Sequence, residues 1–128
     1  MNILIVDDNQ KTLKLLKAML AKSGHSIVTS DNAPEALSIL SQTPIDLILS
    51  DMVMPDMDGA EFCKIVRQEQ EHYIPIIFLS ARASVDDVAV GMIAGADDYL
   101  AKPIKMQELL HTIERYAPQT IASSISSA

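Results

Sequence analysis

With 128 residues, 48% hydrophobic and only 4% aromatic, the chain has material for one domain with an aliphatic core, and too little for two. The net charge of −7 excludes the basic footprint that direct nucleic-acid binding requires, and the single Cys63 excludes an internal disulfide or a multi-cysteine zinc site. No apolar run approaches the ~20 residues of a membrane span, and the opening Met-Asn-Ile-Leu-Ile-Val-Asp-Asp lacks the basic and long apolar regions of a signal peptide, so a cytoplasmic location is expected.

The chain opens on an aliphatic run, Ile3–Val6, expected to be a strand. Leu13, Leu16 and Leu20 then share one helical face, with Gly24 placed to end that helix as its C′ residue. A weaker, mixed run at Ser26–Thr29 reads as a second strand. The next stripe is Ala33, Ala36, Leu37 and Leu40, with Pro34 where a first-turn proline is tolerated. Ile45–Leu49 is a second continuous aliphatic run, followed by a third stripe of Phe62, Ile65 and Val66. Ile76–Leu79 is the third such run, and the segment after it places Val85, Val88, Ala89, Met92 and Ile93 on a core-facing stripe. That reading turns Asp86, Asp87, Val90, Gly91 and Ala94 outward. Asp98–Ala101 is a short mixed strand, and Met106, Leu109, Leu110 and Ile113 make a last helical stripe. Continuous aliphatic strands mean burial on both faces. Strands alternating with helices five times therefore predict an α/β fold with a parallel sheet and helices on both faces. Residues 119–128 read as a Ser/Ala-rich tail or linker beyond a domain at 1–118.

In such a sheet, ligands collect at the carboxyl ends of the strands. The first strand delivers Asp7 and Asp8 there, the third Asp51, the fourth Ser80 and the fifth Lys102. Taken singly, each has an ordinary reading: an Asp after a strand is a turn or cap residue, Ser80 a loop hydroxyl, Lys102 a solvated lysine, and Tyr99 half-buried packing. Cys63 within a helical stripe reads as structural, and His25, His72 and His111 are too scattered for a histidine metal site. Co-location changes the reading. Clustered carboxylates repel one another and raise each other's pKa, which a divalent cation relieves; oxygen ligands suit Mg²⁺. Mg²⁺ and a lysine together would stabilise a phosphoryl group, leaving one carboxylate as nucleophile for an aspartyl phosphate.

The stretches Ile-Leu-Ile-Val-Asp-Asp, Asp-Leu-Ile-Leu-Ser-Asp-Met-Val-Met-Pro-Asp-Met-Asp-Gly, Ile-Pro-Ile-Ile-Phe-Leu-Ser-Ala and Gly-Ala-Asp-Asp-Tyr-Leu-Ala-Lys-Pro, in this order and spacing, resemble the receiver domain of two-component response regulators. The resemblance covers about Asn2 to Tyr116. It implies a flavodoxin-like, doubly wound five-stranded parallel sheet of order 2-1-3-4-5. It implies Asp51 as phospho-acceptor. Mg²⁺ would be held by Asp8, by Asp7 through water, by Asp51 and by the Val53 carbonyl. Ser80 and Lys102 match the phosphoryl-binding positions, and Ser80 and Tyr99 the switch pair. Pro55 and Gly59 match the loop after the acceptor, and Pro103 follows Lys102 through an expected cis peptide. The implied phosphodonor is a phosphohistidine on a sensor histidine kinase or phosphotransfer protein. The domain would assist its own phosphotransfer and autodephosphorylation without being an enzyme in the ordinary sense.

The competing classes fit less well. Asp-nucleophile phosphatases of the haloacid-dehalogenase type need a second Asp where Val53 stands, and no Gly-x-Gly-x-x-Gly or Walker lysine follows any strand. A phosphorylation-independent interaction domain on the same fold remains the alternative, opposed by the intact Asp8, Asp51 and Lys102. The output surface is expected within residues 84–116, contacting an output domain, a partner protein or a second copy in a phosphorylation-enhanced homodimer. Residues 83–101 contain no Lys or Arg, which departs from the charged dimer contacts of one DNA-binding subfamily.

Overall fold

Asn2–Val6 (β1) is aliphatic at four successive positions, and both its faces and both its edges are covered in the computed structural model, which describes residues 1–117. It pairs in parallel with Ser26–Ser30 (β2) on one side and with Leu47–Ser50 (β3) on the other. Ile76–Ser80 (β4) and Asp98–Ala101 (β5) complete a five-stranded parallel sheet of order β2-β1-β3-β4-β5. The helices between them are Gln10–Lys22 (α1), Ala33–Gln42 (α2), Gly59–Glu69 (α3), Val85–Ala94 (α4) and Met106–Tyr116 (α5).

Strand residues alternate between two cores, as the two-residue period of a strand requires. Ile3, Ile5, Leu47, Leu49, Ile77 and Leu79 pack with α1 and α5. Leu4, Val6, Ile48, Ile76 and Phe78 pack under α2, α3 and α4. Helix starts carry side-chain caps: Asn9 accepts from Thr12 N–H, Asn32 from Glu35 N–H, Asp58 from Glu61 N–H, and Ser84 forms a reciprocal box with Asp87. Each such cap contributes about 1 kcal/mol. Gly24 follows α1 with a positive φ of 91°, as its expected C′ role demands.

Three differences from the sequence reading have physical causes. The third strand begins at Leu47 rather than Ile45, because the ladder with β1 starts at Ile3 opposite Leu47; Asp46 before it accepts the Asn2 N–H on its carboxylate. In α3 the buried face passes through Cys63 as well as Phe62 and Val66, leaving Ile65 half-buried. The face of α4 must be corrected. Its buried residues are Gly91 and Ala94, with Asp87 and Val88 half-buried. Val85, Ala89, Met92 and Ile93 of the expected core stripe are exposed, Val85 and Ile93 by more than four-fifths. Large rings lie beneath this helix, and only small residues let it approach them. The expected tail at 119–128 lies outside the described residues.

Candidate functional site

The connections leaving β1 and β3 run to opposite faces of the sheet, so a crevice opens at their carboxyl ends. Four strand ends converge on it. Asp7 follows β1 and Asp51 follows β3, and the backbones lock together where Asp51 N–H donates to Val6 O at 2.9 Å. Ser80 ends β4, and Lys102 N–H donates to Ser80 O at 2.9 Å, bringing the lysine off β5 alongside. Asp7, Asp8, Asp51, Val53, Ser80 and Lys102 line one shallow cavity of about 290 Å³, together with Asn9, Ala81 and Arg82.

Asp7 and Asp51 are buried, whereas Asp8 is exposed at the rim. One oxygen of each carboxylate lies within 4.8 Å of the others. Lys102 Nζ donates to Asp7 Oδ2 at 2.6 Å and to Asp51 Oδ2 at 3.0 Å. The other oxygens accept backbone N–H groups, Asp7 Oδ1 from Asn9 at 2.9 Å and Asp51 Oδ1 from Val53 at 3.1 Å. Burial pushes the Asp7 carboxyl above its usual range, despite the bonds from Lys102 and Asn9 that pull it down, and the charge of Asp51 adds to the rise. Burial also opposes the Lys102 charge, but its bonds to Asp7 and Asp51 prevail and hold the ammonium above its ordinary value. Three carboxylates facing a single lysine leave an excess of negative charge. All three donors are carboxylate oxygens. That donor set fits a hard divalent cation such as Mg²⁺.

The remaining expected residues sit outside the cavity. Gly59 starts α3 beneath Asp51, and a Cβ there would lie 2.6 Å from Asp51 O and 2.8 Å from Met52 Cα. Pro55 lies exposed in the loop between, and Pro103 follows Lys102 through a cis peptide, as expected. Tyr99 is half-buried on β5, its ring 5.7 Å from that of Phe78, and its hydroxyl donates to the Arg82 carbonyl. Burial pushes its phenol up.

Two contributors went unread in the sequence. Asn9 caps α1 and orients Asp7; an Asn just before a helical stripe was the available signal. Arg82 donates its backbone N–H to Ser80 Oγ at 3.1 Å while its carbonyl receives Tyr99, a backbone role that no side-chain pattern announces.

A family model described as the response regulator receiver domain matches residues 3–114. Among relatives, the nisin biosynthesis regulatory protein NisR of Lactococcus lactis is 39% identical over 112 residues, covering 88% of this chain and 48% of that protein. Response regulator MprA of Mycobacterium leprae is 36% identical, covering 98% of this chain and 57% of its own length. The chain thus spans about half the length of the relatives it matches. A two-component response regulator from Clostridium difficile superposes with a TM-score of 0.86 at 28% identity, covering 91% of this chain and 94% of that one. The chemotaxis response regulator CheY4 of Vibrio cholerae superposes with a TM-score of 0.84 at 33% identity, covering 90% and 97%.

Proposed function

Because this chain belongs to the response regulator receiver domain family of two-component signalling, we propose that it takes a phosphoryl group from a phosphohistidine onto Asp51 and thereby switches an output surface. The observation that carries this reading is the Lys102 ammonium bridging Asp7 and Asp51 in a crevice with an excess of carboxylate.

Asp7, Asp8, Asp51 and the Val53 carbonyl are the groups that would hold Mg²⁺. When bound, the cation supplies positive charge for the phosphoryl oxygens. The chain's own residues do the rest. The Asp51 carboxylate attacks phosphorus as the phosphorus–nitrogen bond to the donor imidazole breaks. Asn9 N–H and Lys102 hold Asp7 in place, and the Val53 N–H fixes the rotamer of Asp51. Lys102 is already paired with Asp51, so its charge needs little reorganisation to meet the new phosphoryl oxygens. Ser80 Oγ accepts the Arg82 N–H and keeps its own proton for a phosphoryl oxygen, a charge-assisted bond. Pull on Ser80 shifts the loop at Arg82, to which Tyr99 is tied, so Ser80 and Tyr99 carry the signal toward α4, β5 and α5.

An apolar groove of about 270 Å³ beside Lys102, lined by Leu15, Leu16, Met19 and Ile104, offers space for an apolar side chain of a sensor kinase or phosphotransfer protein at the acceptor's edge. The exposed Val85 and Ile93 of α4 supply apolar surface for an output domain, a partner protein or a second copy. A phosphohistidine donor supports a cytoplasmic location; no helix among the described residues is long and apolar enough to cross a membrane.

Acetyl phosphate with Mg²⁺ tests the reading. Intact mass should show one added phosphoryl group on the parent and none on Asp51→Asn, which keeps the shape but lacks the nucleophilic oxygen. Labelling of Asp51→Asn at the parent's rate would overturn the assignment.

A further inference from the structure

Helix α4 rests on the sheet through its smallest residues. Gly91 is buried, and a Cβ built on it would lie 3.1 Å from Phe78 Cδ2 and 3.1 Å from both Tyr99 Cδ2 and Cε2. That is closer than side chains ordinarily pack, so Phe78, Tyr99 or the helix itself would have to give by a few tenths of an ångström. Phe78 is wholly enclosed in the core and has nowhere to go. The helix is held as well. One turn past Gly91, Gly95 O accepts Arg67 Nε at 3.1 Å and Arg67 Nη2 at 2.9 Å. The same guanidinium binds Ile74 O at 2.6 Å and Asp97 Oδ2 at 3.0 Å, and so ties the end of α4 to α3 and to the start of β4. Gly95 itself takes a φ of 118°, where a side chain would be strained, so this turn is specified closely. Tyr99 is the neighbour with freedom: its ring is half-buried, at the edge strand.

The position of that ring matters because its hydroxyl donates to Arg82 O in the loop between β4 and α4. The other ties on that loop and the first turn of α4 are local or exposed. They are the local Ser84–Asp87 box, the Arg82 N–H bond to Ser80, and an exposed 3.5 Å contact between Arg82 and Asp87.

We propose that Gly91 is a positioning residue of the switch: its missing side chain makes the seat for the Tyr99 ring, from which the Tyr99 hydroxyl holds the Arg82 loop. The seat follows from the packing alone. Its importance for signalling rests on the reading of Ser80 and Tyr99 given above. Filling the seat displaces the ring and loosens the loop, although Gly91 touches neither Asp51 nor the loop. A glycine that merely packed against Phe78 would behave differently, with an effect that did not depend on whether Tyr99 was present.

Four proteins test this: the parent, Gly91→Ala, Tyr99→Ala and the double variant. In the parent, proton NMR should show contacts from the Tyr99 ring to the Gly91 Hα and to the Phe78 ring. In Gly91→Ala the contacts from Tyr99 to Phe78 should weaken, and amide exchange at residues 82–84 should quicken toward the level of Tyr99→Ala, with no further change when Gly91→Ala is added to Tyr99→Ala. Ala is the better helix former, so on the Tyr99→Ala background Gly91→Ala should raise Tm by about 4 °C, a gain absent on the parent background. Beryllofluoride with Mg²⁺ should bind Gly91→Ala several-fold more weakly than the parent, and the two Tyr99→Ala proteins equally. Absence of the contact between Tyr99 and Gly91 in the parent, contacts between Tyr99 and Phe78 of undiminished strength in Gly91→Ala, or equal Tm shifts on both backgrounds would overturn the proposal. The NMR and melting measurements need no phosphoryl analogue. A parent that binds no beryllofluoride would therefore strike the acceptor reading, while those measurements still decide the seat.

Discussion

At the residue scale, the chain uses polar groups in two distinct ways. Around Asp51 they are kept in excess of their partners: three carboxylates cluster, one lysine bridges two of them, and a cavity lies open beside them. Around Arg67 they are satisfied. The guanidinium donates to two carbonyls and to Asp97, stacks 4.2 Å from the Tyr73 ring centroid, and lies beside the bond from Tyr73 Oη to Asp97. The first arrangement suits a site that must receive charge, and the second suits a joint. Partial burial of the Tyr73 hydroxyl, and its bond to the Asp97 carboxylate, push that phenol up to about 12. The folded value lies above the ordinary value near 10, so the folded state holds the proton longer. The contribution to stability is complete below about pH 10 and is lost as pH rises through about 12. Alkaline titration followed by phenolate absorbance should show a component near 12 that Tyr73→Phe removes. Titration of Tyr73 at its ordinary value would show that the bond is not made in solution.

At the element scale, the loop from β3 to α3 shows how closely Asp51 is held from below. Gly59 N–H donates to Met52 O at 2.8 Å, and the helix start presses against the backbone that carries Asp51. A methyl at Gly59 would meet backbone at 2.6 and 2.8 Å and the Phe78 ring at 2.8 Å, and backbone cannot yield as a long side chain can. Gly59→Ala should therefore destabilise by about 1–3 kcal/mol, the ordinary magnitude for overpacking, seen as a lower urea midpoint with unchanged slope. An unchanged midpoint would mean that the loop is softer than its packing implies. Both Gly59 and Gly91 border Phe78, from α3 and α4 respectively, so this one ring sets how closely two helices approach the sheet.

At the scale of the whole molecule, the negative charge gathered at one edge of the sheet is an opportunity for a cation. Binding to the folded state alone adds RT ln(1 + [L]/Kd), about 1.4 kcal/mol at ten times Kd, or a rise in Tm of about 3–6 °C for a domain of this size. Part of that gain comes from relieving the repulsion between Asp7 and Asp51, which adds to the larger effect of burial in raising the Asp7 carboxyl. Titration with Mg²⁺ should produce the rise in the parent, and Asp8→Ala should abolish it without removing Lys102 from Asp7 and Asp51. Equal rises in both proteins would place the cation elsewhere.

Much of this architecture was legible in the sequence for a simple reason. Strands buried on both faces must be aliphatic throughout, so β1, β3 and β4 announce themselves, and a parallel sheet then dictates that Asp7, Asp8, Asp51, Ser80 and Lys102 meet at one edge. Helices α1, α2 and α5 were equally plain, because polar residues mark their outer faces. Helix α4 was not. It is apolar on nearly every side, with Val85, Val88, Ala89, Val90, Met92 and Ile93 distributed around it, so helical periodicity could not say which face turns inward. The sequence rule sends the largest apolar residues to the core. The fold sends Gly91 and Ala94 instead, because the rings of Phe78 and Tyr99 already fill the space beneath. Nor could spacing show that Lys102 reaches two carboxylates at once, or that Arg67 and Tyr99 hold opposite ends of α4. Which groups arrive at the site is a property of strand order and residue type. How close they come, and which helix face they admit, is set by the volume of side chains distant in sequence, and only the packed structure brings those volumes together.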